Sequence, residues 1–287
     1  MRKTLEITAS FTGTINTGSY ENSKPFYGLK EVIELDNTDS LSDKFLVERQ
    51  KELHGFCYEQ FKKQAQRAEV DKIRKAYQNI RFYEVGDEQY PSVTSIIGWD
   101  DDFRCSQEEL AQYGARGTII HKQVEIFLST GEWKEPKEIP EIYPDLVTLK
   151  QGSLGLTLEG YDFQAFFMAY PFKILSLEDS VVNPIEKYCG RLDIKCIIDS
   201  KNKGKWKDVV FDVPTILDIK TGQIDKTKGL KQQTAYARCC DVEQIGLIPL
   251  NKTTKQGFSQ PVMCSDLDKY WTLFKADRAK FKNRFGV

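Results

Sequence analysis

Two aspartates stand inside runs of aliphatic and β-branched residues: Asp193 in Gly190-Arg191-Leu192-Asp193-Ile194, and Asp218 in Thr215-Ile216-Leu217-Asp218-Ile219-Lys220-Thr221-Gly222. Runs of this composition form strands packed on a core, and a carboxylate carried into such a place must find a compensating partner. A divalent cation is the strongest partner available. Side chains alternate along a strand, so Asp218 and Lys220 share a face while Ile219 takes the other. Mg²⁺ or Mn²⁺ prefers oxygen ligands, so two carboxylates and a main-chain carbonyl make a fitting cradle. A metal there would acidify bound water and steady a pentacovalent phosphate. Lys220, desolvated and crowded by a cation, is expected to have a lowered pKa and to orient or deprotonate that water.

Composition narrows the remaining choices. A chain of 287 residues, 40% hydrophobic and 12% aromatic, can bury a full core as one large domain or two modest ones. Runs such as 165–170 and 196–198 are too short to span a bilayer, and the N-terminus lacks a signal-peptide pattern, so a cytoplasmic protein without membrane contact is expected. The seven cysteines, an odd number without a CxxC pair, fit reduced thiols. Lys+Arg 41 against Asp+Glu 42 leaves bulk charge silent about a nucleic-acid partner. Only local clusters argue for one: Lys201, Lys203, Lys205 and Lys207; Lys220, Lys226, Lys228 and Lys231; and Lys275 to Arg284. Each cluster alone reads equally well as solvated surface.

Along the chain, Leu5 to Leu35 alternates like strands, with a turn at Asn16 to Gly18, and 42–80 has the pattern of one or two amphipathic helices. Residues 81–98 suggest a hairpin leading into a helix capped by Ser92 or Thr94. A helix from Ser106 to Ser129 follows, with a Ser106/Glu109 capping box, Gly131 near its end, and His121 and Glu125 one turn apart. A further helix is weakly marked from Ser153. Strands are predicted over Lys173–Glu178, Glu186–Ile198, Thr215–Lys220 and Gln244–Leu250, and helices over Leu230–Cys240 and Ser265–Phe285.

The ordered set Gly190-Arg191-Leu192-Asp193, Asp218-Ile219-Lys220 and Gln232-Gln233-Thr234-Ala235-Tyr236 resembles the GxxD, (D/E)xK and QxxxY elements of the RecB-type branch of the PD-(D/E)XK nuclease superfamily. Upstream, Gly117 to His121 resembles the branch's G-x-x-x-H element. Tyr90 to Ile97 is similar to the PSVT segment of the mitochondrial genome-maintenance exonuclease and its bacterial and phage relatives. The matches span roughly Tyr90 to Leu250.

This resemblance implies an α/β (α+β) restriction-endonuclease-like core over 89–287, a mixed central sheet flanked by helices, with Asp193 and Asp218 on adjacent strands. Residues 1–88 would be a β and helical extension. It implies Asp193, Asp218, the Ile219 carbonyl and His121 as metal ligands, and Glu125 as ligand to a second cation. Lys220 would be the catalytic lysine and Gln232 its support or a phosphate contact, with Tyr236 behind it or on DNA. Ser92 and Thr94 are cap or phosphate contacts, and Lys201, Lys203 and Lys205 would track DNA.

The implied activity is Mg²⁺- or Mn²⁺-dependent exonucleolytic hydrolysis of DNA, single-stranded or with ends, leaving a 5′ phosphate, in phage or bacterial recombination, repair or replication. A structure- or sequence-specific endonuclease is an alternative, as is a non-catalytic DNA-binding or partner-docking derivative. The N-terminal segment would recruit a single-strand binding or annealing protein, or clamp the substrate strand. Cys239, Cys240 and Cys264 lack the spacing of the iron-sulfur cluster found in some relatives, and no helicase motif is present.

Overall fold

The computed structural model describes residues 3–12, 15–18, 21–23, 26–35, 43–77, 80–101, 107–135, 138–139, 161–250 and 254–287. The chain divides into two compact units, Met1–Pro91 with Val287, and Ser92–Gly286.

In the first unit, β1 (Lys3–Thr12) and β4 (Phe26–Leu35) form an antiparallel ribbon, with a small hairpin of β2 (Ile15–Gly18) and β3 (Glu21–Ser23) between them in sequence. Asn16 to Gly18, expected as a turn, lie in β2. The hairpin register slips between Asn16 and Gly18, so the local irregularity is absorbed within the ladder. The Pro-free stretch forms one 34-residue helix, α1 (Asp43–Ala76), rather than two. It packs on the ribbon through Cys57, which contacts the Ala9 carbonyl, and through Phe61 and Tyr58 against Phe11. The hairpin β5 (Phe82–Val85) and β6 (Glu88–Pro91) completes the unit, tied to α1 by Arg74 Nη2 donating to the Phe82 carbonyl and to Gln89 Oε1.

The second unit is a mixed α/β arrangement. Helix α2 (Val93–Gly98) begins at Ser92, whose Oγ accepts from Ser95 N at 3.0 Å, the expected capping role. Helix α3 (Gln107–Thr130) ends before Gly131, which adopts the left-handed backbone (φ 78°) of a helix terminator. Ser106 of the proposed capping box and residues 153–160 of the weak helix expected from Ser153 to Tyr161 or beyond lie outside the described residues; from Tyr161 on, the described helix starts at Phe163.

After α4 (Phe163–Ala169) come β7 (Lys173–Leu177), β8 (Ser180–Asn183), β9 (Tyr188–Arg191), β10 (Ile194–Ile197) and β11 (Pro214–Lys220). Then follow α5 (Lys226–Ala237), β12 (Gln244–Pro249), β13 (Val262–Cys264) and α6 (Leu267–Phe285). Five strands make one mixed sheet in the order β13-β12-β11-β10-β7, with β11 and β12 parallel across α5 and the other neighbours antiparallel. The β8–β9 pair is a separate ribbon.

The alternation within β11 sorts its residues. Leu217 and Ile219 join a core with Ile120 and Val124 of α3, Phe163 and Phe166 of α4, and Ile194 of β10. Their neighbours Asp218 and Lys220 are left to the other face. Among the described residues, no helix is long and apolar enough to cross a membrane.

Candidate functional site

The single strand expected over Glu186–Ile198 is two strands, β9 and β10, and Asp193 sits in the break between them rather than on a strand beside Asp218. The chain changes partners there: β9 pairs with β8, whereas β10 pairs with β7 and β11. Pairing of β10 with β11 stops at Ile194 and Leu217, and the next inward N–H of β11, that of Ile219, donates to Asp193 Oδ2 at 2.9 Å. The carboxylate thus takes the place of a main-chain acceptor, which fixes it next to Asp218.

Helix α3 delivers His121 to the same point. Its Nε2 donates to the Ile219 carbonyl at 3.0 Å, and its Nδ1 lies 3.3 Å from Asp193 Oδ2. Burial disfavours a charged ring, but the Asp193 carboxylate in contact and the Asp218 carboxylate nearby outweigh it, raising the His121 pKa to about 9. Burial also opposes ionisation of Asp193, yet His121, the Ile219 N–H and Lys220 hold its carboxyl below the usual range. Asp218 goes the other way: burial, with repulsion from Asp193, pushes it up to about 6 despite Lys220.

Lys220 Nζ lies 2.6 Å from Asp218 Oδ2, at an angle that leaves this buried oxygen without a proper hydrogen bond. The same Nζ donates to Gln232 Oε1 at 3.0 Å, and Gln232 Nε2 donates to Tyr236 Oη at 3.2 Å. Burial disfavours the Lys220 ammonium, but Asp218 and Asp193 more than compensate, so its pKa is raised. The lowered value expected from the sequence assumed a neighbouring cation; as these groups stand, two carboxylates set the direction.

No family model matches the chain, and no curated protein does. Among solved structures, the crystal structure of SSO0001 is similar over 65% of this chain and 91% of its own, at 13% identity and a TM-score of 0.28. A likeness that slight carries no argument.

Glu178, which the sequence did not single out, joins the cluster: ligand atoms of His121, Glu178 and Asp193 lie within 4.8 Å of one another. It sits just past β7 with a left-handed backbone (φ 53°), its N–H donates to the Asp193 carbonyl at 2.9 Å, and Arg191 Nε lies 2.8 Å from its carboxylate. Burial, with repulsion from Asp193, raises its pKa. Glu178→Gln should therefore weaken Mn²⁺ binding measured by calorimetry roughly 10-fold, while raising the melting temperature of EDTA-treated protein by removing a repelled carboxylate. Unchanged affinity would remove Glu178 from the site. Glu125, which pairs with Lys122, and Asp218, which pairs with Lys220, both stand outside that 4.8 Å group.

The other candidates divide. Thr94, Lys220 and Gln232 line one cleft of about 250 Å³ beside α5. Ser92 is buried and occupied with Ser95 and Thr94. Tyr236 is buried and its Oη accepts from Gln232 Nε2, so it supports Gln232 and is not open to contact DNA. Lys201, Lys203 and Lys205 lie in the connection from Ile197 to Pro214, at the end of β11 opposite Lys220 and so roughly 20 Å from it. Lys201 pairs with Asp199. Arg278, in the C-terminal basic cluster, is buried and donates to the Glu186 and Lys187 carbonyls.

The glycine of the GxxD element has a physical reason. A Cβ at Gly190 would lie 2.4 Å from Tyr236 Cε1, so the missing side chain makes room for the ring that holds Gln232. Gly190→Ala should cost ~1–3 kcal/mol through overpacking, read as a lower melting temperature. Wild-type melting would show that the ring moves aside freely.

Proposed function

We propose that the chain is a divalent-cation-dependent deoxyribonuclease with a PD-(D/E)XK core of the RecB-type branch, acting on DNA ends. The observation that carries this reading is the meeting of His121 and Asp193 at the Ile219 peptide, one residue from Asp218, whose partner Lys220 begins the Lys220–Gln232–Tyr236 chain. The donors suit Mg²⁺ or Mn²⁺: carboxylates, one carbonyl and one imidazole, with a buried Asp218 oxygen lacking an aligned hydrogen bond. His121, Asp193, Asp218 and Ile219 O would hold the ion, with Glu178 beside them. When bound, it supplies an acidified water and charge neutralisation at phosphorus.

The chain's own residues do the rest. Asp193 fixes the His121 ring and the Ile219 peptide, keeping carbonyl and imidazole at one spot. Lys220 Nζ, fixed by Gln232, is the donor that would aim the attacking water and hold a phosphate oxygen. Tyr236 in turn fixes the Gln232 amide.

The test is digestion of end-labelled linear DNA, single- and double-stranded, and of circular DNA, in Mg²⁺, Mn²⁺ or EDTA. Loss of linear DNA alone, dependent on the cation, is the expected result. Cutting of circles would move the reading to an endonuclease, and absence of any cleavage with binding retained would move it to a non-catalytic DNA-binding protein.

A further inference from the structure

Arg116 lies on α3 five residues before His121 and differs from several other arginines of the chain. Arg49, Arg67, Arg74, Arg191 and Arg238 each pair with a carboxylate. Arg116 pairs with none among the described residues. Its Nη2 makes one long bond, 3.4 Å, to the Thr221 carbonyl, and its Nε is buried without any partner. Burying a guanidinium donor unpaired is costly, and a planar fork left open suits a bidentate oxyanion.

The surroundings say which oxyanion. Thr221 follows Lys220 directly, and a Cβ placed on Gly222 would lie 3.8 Å from Arg116 Nη2, so the fork stands at the exit of the catalytic strand. The guanidinium is 5.2 Å from the centroid of Tyr113 and 5.8 Å from that of Tyr161, so aromatic rings hold the group. Tyr113, one turn earlier on α3, is 43% exposed. An exposed aromatic next to an unpaired guanidinium is the pairing that grips a single strand: a base stacks on the ring while its phosphate meets the fork.

We propose that Arg116 and Tyr113 form a binding site for one nucleotide unit of a DNA strand, Arg116 taking a backbone phosphate next to the scissile one and Tyr113 stacking a base. This rests on the nuclease reading. It assigns strand positioning to α3, the helix that also carries His121, and leaves the distant Lys201 to Lys205 loop without that task.

The experiment measures anisotropy of a fluorescein-labelled oligothymidylate in EDTA over a series of NaCl concentrations, with kcat and KM in Mg²⁺, for wild type, Arg116→Gln, Arg116→Lys and Tyr113→Ala. Arg116→Gln should weaken binding about tenfold, flatten the slope of log affinity against log salt by about one, and raise KM more than it lowers kcat. Arg116→Lys should keep the slope and lose part of the affinity. Tyr113→Ala should lose affinity for the oligothymidylate and not for an abasic oligomer of equal length. A merely structural arginine would alter melting without changing the salt slope. Wild-type slope, affinity and KM in Arg116→Gln, in a protein that still cleaves DNA, would overturn the assignment and leave the nuclease reading standing. A wild type that neither binds nor cleaves DNA would sink both.

Discussion

Lys220→Ala is expected to lower cation-dependent DNA hydrolysis on the order of 10²–10³-fold, the range typical of losing one preorganised donor aimed at developing charge. Cation binding should be weakened less than in Asp218→Ala, because Asp193, His121, the Ile219 carbonyl and the Asp218 carboxyl are all retained and a bound cation would displace the proton from Asp218. The substitution also strips Asp218 of the ammonium 2.6 Å away. Breaking a buried pair ordinarily costs ~3–5 kcal/mol, but Asp218 already has a pKa raised to about 6. Its carboxyl would take up a proton at neutral pH instead of staying charged and alone, so the variant should fold. Asp218→Ala should abolish both cleavage and most cation affinity. Calorimetric Mn²⁺ titration beside gel-based cleavage separates the two. Equal loss of cation affinity in both variants would mean that Lys220 shapes the site rather than acting in it.

Much of this arrangement is legible in sequence because its signals are local. Asp218 and Lys220 share a face through strand alternation alone, and Gln232 and Tyr236 share one through helical spacing. What escapes is set by the chain's partners in space. Asp193 looks like a strand residue, since Leu192 and Ile194 flank it, yet the strand breaks there as pairing passes from β8 to β7 and β11. Glu178 follows five ordinary strand residues, and only its left-handed backbone and the bond to the Asp193 carbonyl bring it to the cluster.

Arg116 could not be distinguished by sequence from any surface arginine, because being unpaired is a property of its surroundings. Lys201 to Lys205 show how sequence order differs from nearness in space. They fall between the two aspartates in sequence, but an antiparallel connection carries them to the far end of the strand. Gly190 marks the converse case, in which a motif position gains its reason only once Tyr236 is seen against it.

Protein stripped of divalent cations is expected to lose stability as pH rises from about 6.5 to about 9. The His121 pKa is about 9 in the fold, against about 6.5 for an unfolded histidine. The folded state therefore binds more protons across that interval, and its advantage, complete below the lower value, is lost as pH passes the higher one. The groups facing the ring are Asp193 in contact, Asp218 and Glu178, and Lys220 opposing them. Asp218, raised to about 6, adds an earlier loss of the same sign beginning near pH 4. The His121 side chain is 29% exposed, so solvent screening trims the full linkage value to roughly 1–2 kcal/mol, or about 2–8 °C in melting temperature. Mn²⁺ should reverse the trend. A ligating imidazole must give up its proton, so stabilisation by the cation grows with pH over the interval in which the stripped protein weakens. Melting curves in EDTA and in Mn²⁺ at several pH values, for wild type and His121→Gln, read this directly. A wild-type EDTA profile as flat as that of His121→Gln would mean that the imidazole carries no extra proton in the fold, and that the His121–Asp193 contact is not the charged pair its geometry indicates.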